Sequence, residues 1–107
     1  FVTLTYAAAK AAIIGFTQSI ASYYAAENIR INALAPALVE TPMAQRAAND
    51  EIIQAFIKTK QPLDGGRIGN TEDLDGAAIY FMSDYSKFTT GQVLSVDGGW
   101  QLSEGQY

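Results

Sequence analysis

The chain has 107 residues, 49% of them hydrophobic and 17% charged, and a formal net charge of −4. This composition fits one domain or part of one with a modest core, argues against disorder, and offers no basic patch for nucleic acid. With no Cys and no His, the chain has no disulfide framework, thiolate nucleophile, Ser-His-Asp triad or imidazole metal cluster, which leaves hydroxyls, carboxylates, amines and bound cofactors.

Phe1-Val2-Thr3-Leu4-Thr5 is rich in β-branched and hydroxyl residues and reads as strand or loop. It begins without Met, so the sequence is expected to start inside a longer protein. Thr5 is a plausible N-cap, and the alanine-rich run from Tyr6 to about Ala26 suits a helix. Ile13, Phe16, Ile20 and Tyr24 fall at helical spacing and are expected to face a core. Small residues such as Ala8, Ala12, Gly15 and Ser19 allow close approach of a neighbouring helix or subunit. Lys10, Gln18 and Glu27 interrupt the apolar run, so no membrane span is expected, and no signal peptide is evident.

Tyr6-Ala7-Ala8-Ala9-Lys10 carries the first chemical signal. Residues four apart share a helix face, which places the Tyr6 phenol beside the Lys10 ammonium. Two opposite charges about 6 Å apart, at an effective dielectric of about 20, attract by about 3 kcal/mol. A neighbouring cation therefore stabilises the phenolate and suits a tyrosine to exchange a proton with an alcohol or ketone. On these five residues alone, a surface Tyr and a solvated Lys explain the pair better than a proton-transfer device does.

Ile29–Ala35 reads as a short strand ended by Pro36, which cannot donate to a sheet ladder. A long helix followed closely by a strand suggests the returning half of a βαβ unit. Pro36-Ala37-Leu38-Val39-Glu40-Thr41-Pro42 would then lie beyond the strand's carboxyl end, where open parallel sheets bind ligands. Thr41 can cap a new helix with Pro42 in its favoured first position, and Asn49 or Asp50 starts another, striped by Ile52, Ile53, Phe56 and Ile57. The amphipathic segment Met43–Leu63 reads as either a substrate lid or a plain connecting helix pair. Gln61-Pro62-Leu63-Asp64-Gly65-Gly66 is a clear break. Asn70 or Thr71 caps a further helix, with Glu72 and Asp73 in its first turn and Leu74, Ala77, Ala78, Phe81 and Met82 as its buried side. Gln92–Val96 is a second strand, closed by Asp97-Gly98-Gly99-Trp100, where the glycines permit a tight backbone path.

Taken together, three separated motifs resemble the classical short-chain dehydrogenase/reductase family. Tyr6-Ala7-Ala8-Ala9-Lys10 is similar to its active-site Tyr-x-x-x-Lys. Asn32-Ala33-Leu34-Ala35-Pro36-Ala37-Leu38-Val39-Glu40-Thr41 is similar to its strand and cofactor loop, usually Asn-x-x-x-Pro-Gly-x-Val-x-Thr. Thr90–Gly99 resembles its last strand with the Val-Asp-Gly-Gly ending. Arg67–Leu74 looks like the linker before the penultimate helix.

The resemblance implies an α/β fold: the C-terminal part of a Rossmann-like doubly wound parallel sheet. Residues 1–107 would be the C-terminal half of a single domain, because the family's Gly-rich turn, Asn-Asn-Ala-Gly segment and catalytic Ser all precede its Tyr. It implies an NAD(P)-dependent oxidoreductase that interconverts a secondary alcohol and a ketone, with NAD or NADP as cofactor and no metal. Tyr6 would be the acid/base, and Lys10 would assist it and bind the nicotinamide ribose. Pro36 and Ala37 would shape the wall behind the nicotinamide. Val39 would hold the carboxamide through its backbone, Thr41 would contact the carboxamide or pyrophosphate, and Met43 is a candidate substrate contact. Ala37 stands where the family usually has Gly, which would cost about 1 kcal/mol if the position needed positive φ. A small-molecule substrate, a cytoplasmic location and a homotetramer or homodimer are expected. The 107 residues alone are expected to be unstable and to bind cofactor poorly. Two alternatives are a non-catalytic dinucleotide-binding redox sensor on the same fold and a truncated interaction module.

Overall fold

The computed structural model describes residues 2–45 and 49–103. Two short strands, β1 (Ala33–Pro36) and β2 (Val93–Val96), pair in a two-stranded sheet. The Gly91 N–H donates to the Ile31 carbonyl and the Ala33 N–H to the Gln92 carbonyl, so the partners rise together and the pairing is parallel. By contact, the chain forms two compact units, Phe1–Leu34 with Tyr80–Leu94, and Ala35–Ile79 with Ser95–Tyr107.

In the first unit, α1 runs from Val2 to Tyr24 and tightens into one 3-10 turn, Ala25–Glu27. It ends as expected near Asn28, which takes the left-handed conformation (φ 61°) and donates its N–H to the Ala25 carbonyl. Its start is a correction: the strand-like opening is helical from Val2, so Thr5 lies inside the helix and is no N-cap. Once a helix is nucleated, each added residue gains a hydrogen bond, which outweighs the few tenths of a kcal/mol that β-branched residues cost.

The packed face of α1 also differs from the expected one. Ile13 and Phe16 are 52% and 64% exposed and Tyr24 lies at the surface, whereas Ala21 and Thr17 are buried. The Ala21 methyl sits so close to Gly91 that a Cβ added there would meet it at 3.5 Å. Thr17 satisfies its buried hydroxyl by donating to the Ile13 carbonyl. Small residues therefore seat the helix in this unit together with Ile20, which is half-buried as expected, while Ile13 and Phe16 face outward.

The segment before β1 is held by side chains more than by a ladder. The observed strand, Ala33–Pro36, is shorter than the Ile29–Ala35 expected, because Arg30 and Asn32 bond outward. Arg30 donates to the Phe81, Ser83 and Ser86 carbonyls and to the Ser86 hydroxyl. Asn32 donates to the Thr89 carbonyl and accepts from the Gln92 N–H, so its amide continues the sheet pairing by one rung.

In the second unit, α2 (Glu51–Lys60) begins at Asp50, whose carboxylate accepts from the Ile52 and Ile53 N–H groups at 2.9 and 3.2 Å. Of the expected apolar stripe, Ile57 is fully buried, while Ile52 and Phe56 remain largely exposed. The Lys60 ammonium lies 5.5 Å from the Trp100 ring centroid, and Phe56 meets Trp100 edge-on, so Trp100 covers α2 within its own unit. Lys60 also donates to the Ser103 carbonyl at 2.7 Å. After the break at Pro62, Asp64, Gly65 and Gly66 all take positive φ. Asp73 accepts from the Asn70 N–H at 2.7 Å and starts the turn Thr71–Leu74 that leads into α3, Asp75–Met82. Leu74, Ala77, Ala78 and Phe81 are half-buried as expected, but Met82 is 83% exposed. Among the described residues, no helix is long and apolar enough to cross a membrane.

Candidate active site

Tyr6 and Lys10 both lie within α1, and the helical repeat brings them to one face as expected. The Lys10 Nζ stands 5.2 Å from the centre of the Tyr6 ring, within cation–π range. Tyr6 is 62% exposed, so its phenol is open to an incoming molecule.

The other expected site residues follow one another in the second unit. Pro36 is the exposed last residue of β1, and Ala37 is half-buried. Among the described non-glycine residues, only Asn28 and Asp64 have positive φ. Ala37 therefore carries none of the strain considered for a residue in the family's glycine position.

Beyond Ala37 the loop runs as a strand-like segment paired with Gly69 in a parallel bridge at Val39. Gly69 donates its N–H to the Leu38 carbonyl at 3.0 Å, and its carbonyl accepts the Glu40 N–H at 2.8 Å. Successive peptide groups in extended chain point to opposite edges. The Leu38 carbonyl and Glu40 N–H thus face Gly69, while the N–H and C=O of Val39 face away from it, with no hydrogen-bond partner among the described residues. One donor and one acceptor side by side on an open edge match a primary carboxamide, which presents the same two groups. Only a close backbone approach permits the pairing: a Cβ on Gly69 would stand 3.3 Å from the Leu38 oxygen.

Thr41 caps the one-turn helix Pro42–Ala44, its hydroxyl oxygen accepting from the Ala44 N–H at 3.3 Å. That use occupies one lone pair and leaves the hydroxyl proton available to a further acceptor. Met43 lies in the same turn, and its side chain falls outside the described residues, as do residues 46–48 of the expected lid.

Two features were not foreseen. Gln61, at the break after α2, is buried at 3% exposure and bonds to the loop that carries Val39. Its only signal in sequence is a polar residue directly before a proline at an element boundary. Nearby, Arg67 forks onto Asp73, with N–O distances of 2.7 and 3.0 Å, and reaches Asp64 at 2.6 Å. The side-chain bond from Arg67, followed by the Asn70 N–H, lowers the Asp73 carboxyl to about 2, and the two carboxylates push the Arg67 guanidinium further up. A cavity of about 180 Å³ lies beside Leu38, Val39, Gln61 and Arg67. Small-ligand sites usually have about 300 Å³ or more, so this cavity is undersized for a whole small ligand. No group of three or more metal-ligating side chains is gathered among the described residues.

The family model described as Enoyl-(Acyl carrier protein) reductase matches residues 2–101. The 3-oxoacyl-acyl-carrier-protein reductase FabG of Chlamydia trachomatis is 45% identical over 94 residues, covering 88% of this chain and 36% of its own length. Among solved structures, 4-hydroxyisoleucine dehydrogenase complexed with NADH superposes with a TM-score of 0.88 at 30% identity, over 92% of this chain and 40% of that one. A gluconate 5-dehydrogenase from Burkholderia cenocepacia, in complex with NADP and tartrate, gives 0.85 at 35% identity, over 92% and 38%. The chain thus spans little more than a third of the length of the relatives it matches.

Proposed function

Because the chain belongs to the classical short-chain dehydrogenase/reductase family, with the α/β, Rossmann-like fold of those enzymes, we propose that the protein carrying it interconverts a secondary alcohol and a ketone using NAD(P). When bound, the nicotinamide supplies or accepts the hydride. The chain's own residues handle the proton and the positioning.

In the reducing direction the Tyr6 phenol donates its proton to the substrate's carbonyl oxygen as the carbonyl carbon gains hydride, yielding the alcohol. In the oxidising direction the phenolate takes the alcohol proton as hydride leaves. Lys10, beside the ring, can donate to the ribose hydroxyls. The outward N–H and C=O of Val39 suit the carboxamide's oxygen and amino group, respectively. The Thr41 hydroxyl donates to the carboxamide or pyrophosphate while its oxygen still caps the Pro42 turn. Pro36 and Ala37 form the wall behind the nicotinamide ring, and Met43 contacts substrate. The relatives' reported ligands include both NADH and NADP, so the dinucleotide is left as NAD(P). The outward Ile13 and Phe16 of α1 support assembly into a homodimer or homotetramer.

The observation that carries this reading is the Lys10 ammonium 5.2 Å from the Tyr6 ring on one open helix face. Tyr6→Phe in the whole protein removes only the hydroxyl. General acid–base catalysis contributes roughly 10²- to 10⁴-fold, so kcat should fall by that range with NAD(P)H binding retained. A Phe variant that oxidises NAD(P)H with a ketone at the wild-type rate would overturn the assignment.

A further inference from the structure

We propose that Gln61 is a positioning residue for the nicotinamide, acting through Leu38 to fix the open edge of Val39. This rests on the oxidoreductase reading above. The side-chain amide of Gln61 takes the place of a neighbouring strand's peptide group. Its oxygen accepts the Leu38 N–H at 3.1 Å, and its nitrogen donates to the Leu38 carbonyl at 3.2 Å and the Arg67 carbonyl at 3.1 Å. Both amide protons are thus used, and both polar groups of the Leu38 backbone are held by one side chain.

Gly69 alone would not do this. It bonds to the Leu38 carbonyl and the Glu40 N–H and leaves the Leu38 N–H to Gln61. With the groups of Leu38 tied on one side, the extended chain must turn those of Val39 to the other. The orientation of the carboxamide-binding edge, given by the Gly69 pairing, is therefore fixed a second time one residue earlier, by a side chain on the opposite edge from Val39's open groups.

Gln61 is itself held in place. Its N–H donates to the Ile57 carbonyl at the end of α2. The turn after β2 lies on its stem so closely that a Cβ on Gly98 would meet the Gln61 Cβ at 3.1 Å. The following residues repeat the contact: Pro62 lies against Gly99, and the Leu63 N–H donates to the Gly98 carbonyl at 3.0 Å. A buried amide with a covered stem and all donors committed has one available position, which is what preorganisation of a backbone edge requires.

The role can be separated from general stability by comparing two ligands in the whole protein. NADH or NADPH, whichever binds more tightly, carries the nicotinamide. The matching ADP-ribose, with or without its 2′-phosphate, does not. Gln61→Met keeps length and volume but removes every polar atom, while Gln61→Glu keeps the acceptor for the Leu38 N–H and loses the donors. Dissociation constants measured by fluorescence and calorimetry should rise about 10- to 100-fold for the reduced dinucleotide in Gln61→Met, less in Gln61→Glu, and change under about twofold for ADP-ribose in both. Equal weakening of both ligands, or of neither, overturns the proposal. If Gln61→Met does not fold, the ratio in Gln61→Glu decides, and failure of both to fold makes the residue purely structural. Wild-type protein that binds no reduced dinucleotide sinks the oxidoreductase reading instead.

Discussion

Arg30 offers the most direct test of how the first unit is held together. Its guanidinium bonds to the carbonyls of Phe81 at 3.1 Å, Ser86 at 3.0 Å and Ser83 at 3.3 Å, and to the hydroxyl of the fully buried Ser86. No carboxylate takes part in these contacts; the cation satisfies carbonyls at the end of α3 and in the turn beyond it. Hydrogen bonds to a charged donor contribute about 1.5–3 kcal/mol each, but one nitrogen serves three of these acceptors, so about two full bonds are at stake. Removing them in Arg30→Met should cost about 3–6 kcal/mol. The Ser86 hydroxyl already reaches the Phe81 and Ser83 carbonyls and recovers part of this, which lowers the expectation to about 2–4 kcal/mol. That is a large share of the roughly 5–15 kcal/mol that separates most folded proteins from unfolding. Arg30→Lys keeps the charge but not the fork and should lose about half as much. Urea unfolding of the whole protein measures both, the midpoint falling with an unchanged slope. Arg30→Met within about 0.5 kcal/mol of wild type would show that water replaces the guanidinium at no cost, and the reasoning would fail.

Gly66 tests the second unit in the same assay. It has φ 76°, and an added Cβ would stand 2.8 Å from Lys58 Cγ and 3.0 Å from Lys58 Cα, so Gly66→Ala combines left-handed strain with overpacking and should cost about 2–4 kcal/mol. Gly76→Ala, with open space around it in α3, should instead gain up to about 1 kcal/mol, and equal effects at the two sites would contradict this reading. The Arg67–Asp73 pair predicts a pH signature. The Asp73 carboxyl is held at about 2 against an ordinary 3.8, so its stabilising effect is fully present above about pH 4 and is lost as pH falls through about 2. Thermal melts of wild type and Asp73→Asn should therefore differ by a constant amount near neutrality and converge in acid; a difference that persists to about pH 2 would rule out the pairing as its source.

Sequence reveals local chemistry well and the choice of packed face poorly, for a physical reason. Thr41 before Pro42 and Asp50 before its helix act on main-chain groups within a few positions, so their roles could be read directly. The same holds for Gly98 and Gly99, whose positive φ follows from a turn that few other residues adopt. In α1, however, apolar side chains surround the helix, and spacing alone cannot say which stripe meets a neighbour. The answer comes from Gly91, far along the chain, against which Ala21 packs. Likewise, the Val2–Thr5 run has strand-like composition, yet its local preference is weak beside that of a helix already under way. At the site, Tyr6 and Lys10 were legible because four residues make about one helical turn. Gln61 was not, because its bonds to Leu38 span 23 positions and depend on how two loops meet.

An edge built from main chain has a consequence for natural variation at position 39. Exchanging Val39 for another β-branched or aliphatic residue reshapes the neighbourhood without erasing a donor or an acceptor, since every residue but proline carries both. Drift is therefore cheap at the very residue whose main chain forms the edge. Space is tighter at Gly69, a residue with no functional group at all, where a single methyl would stand 3.3 Å from the Leu38 oxygen and that neighbour would have to give by a few tenths of an ångström.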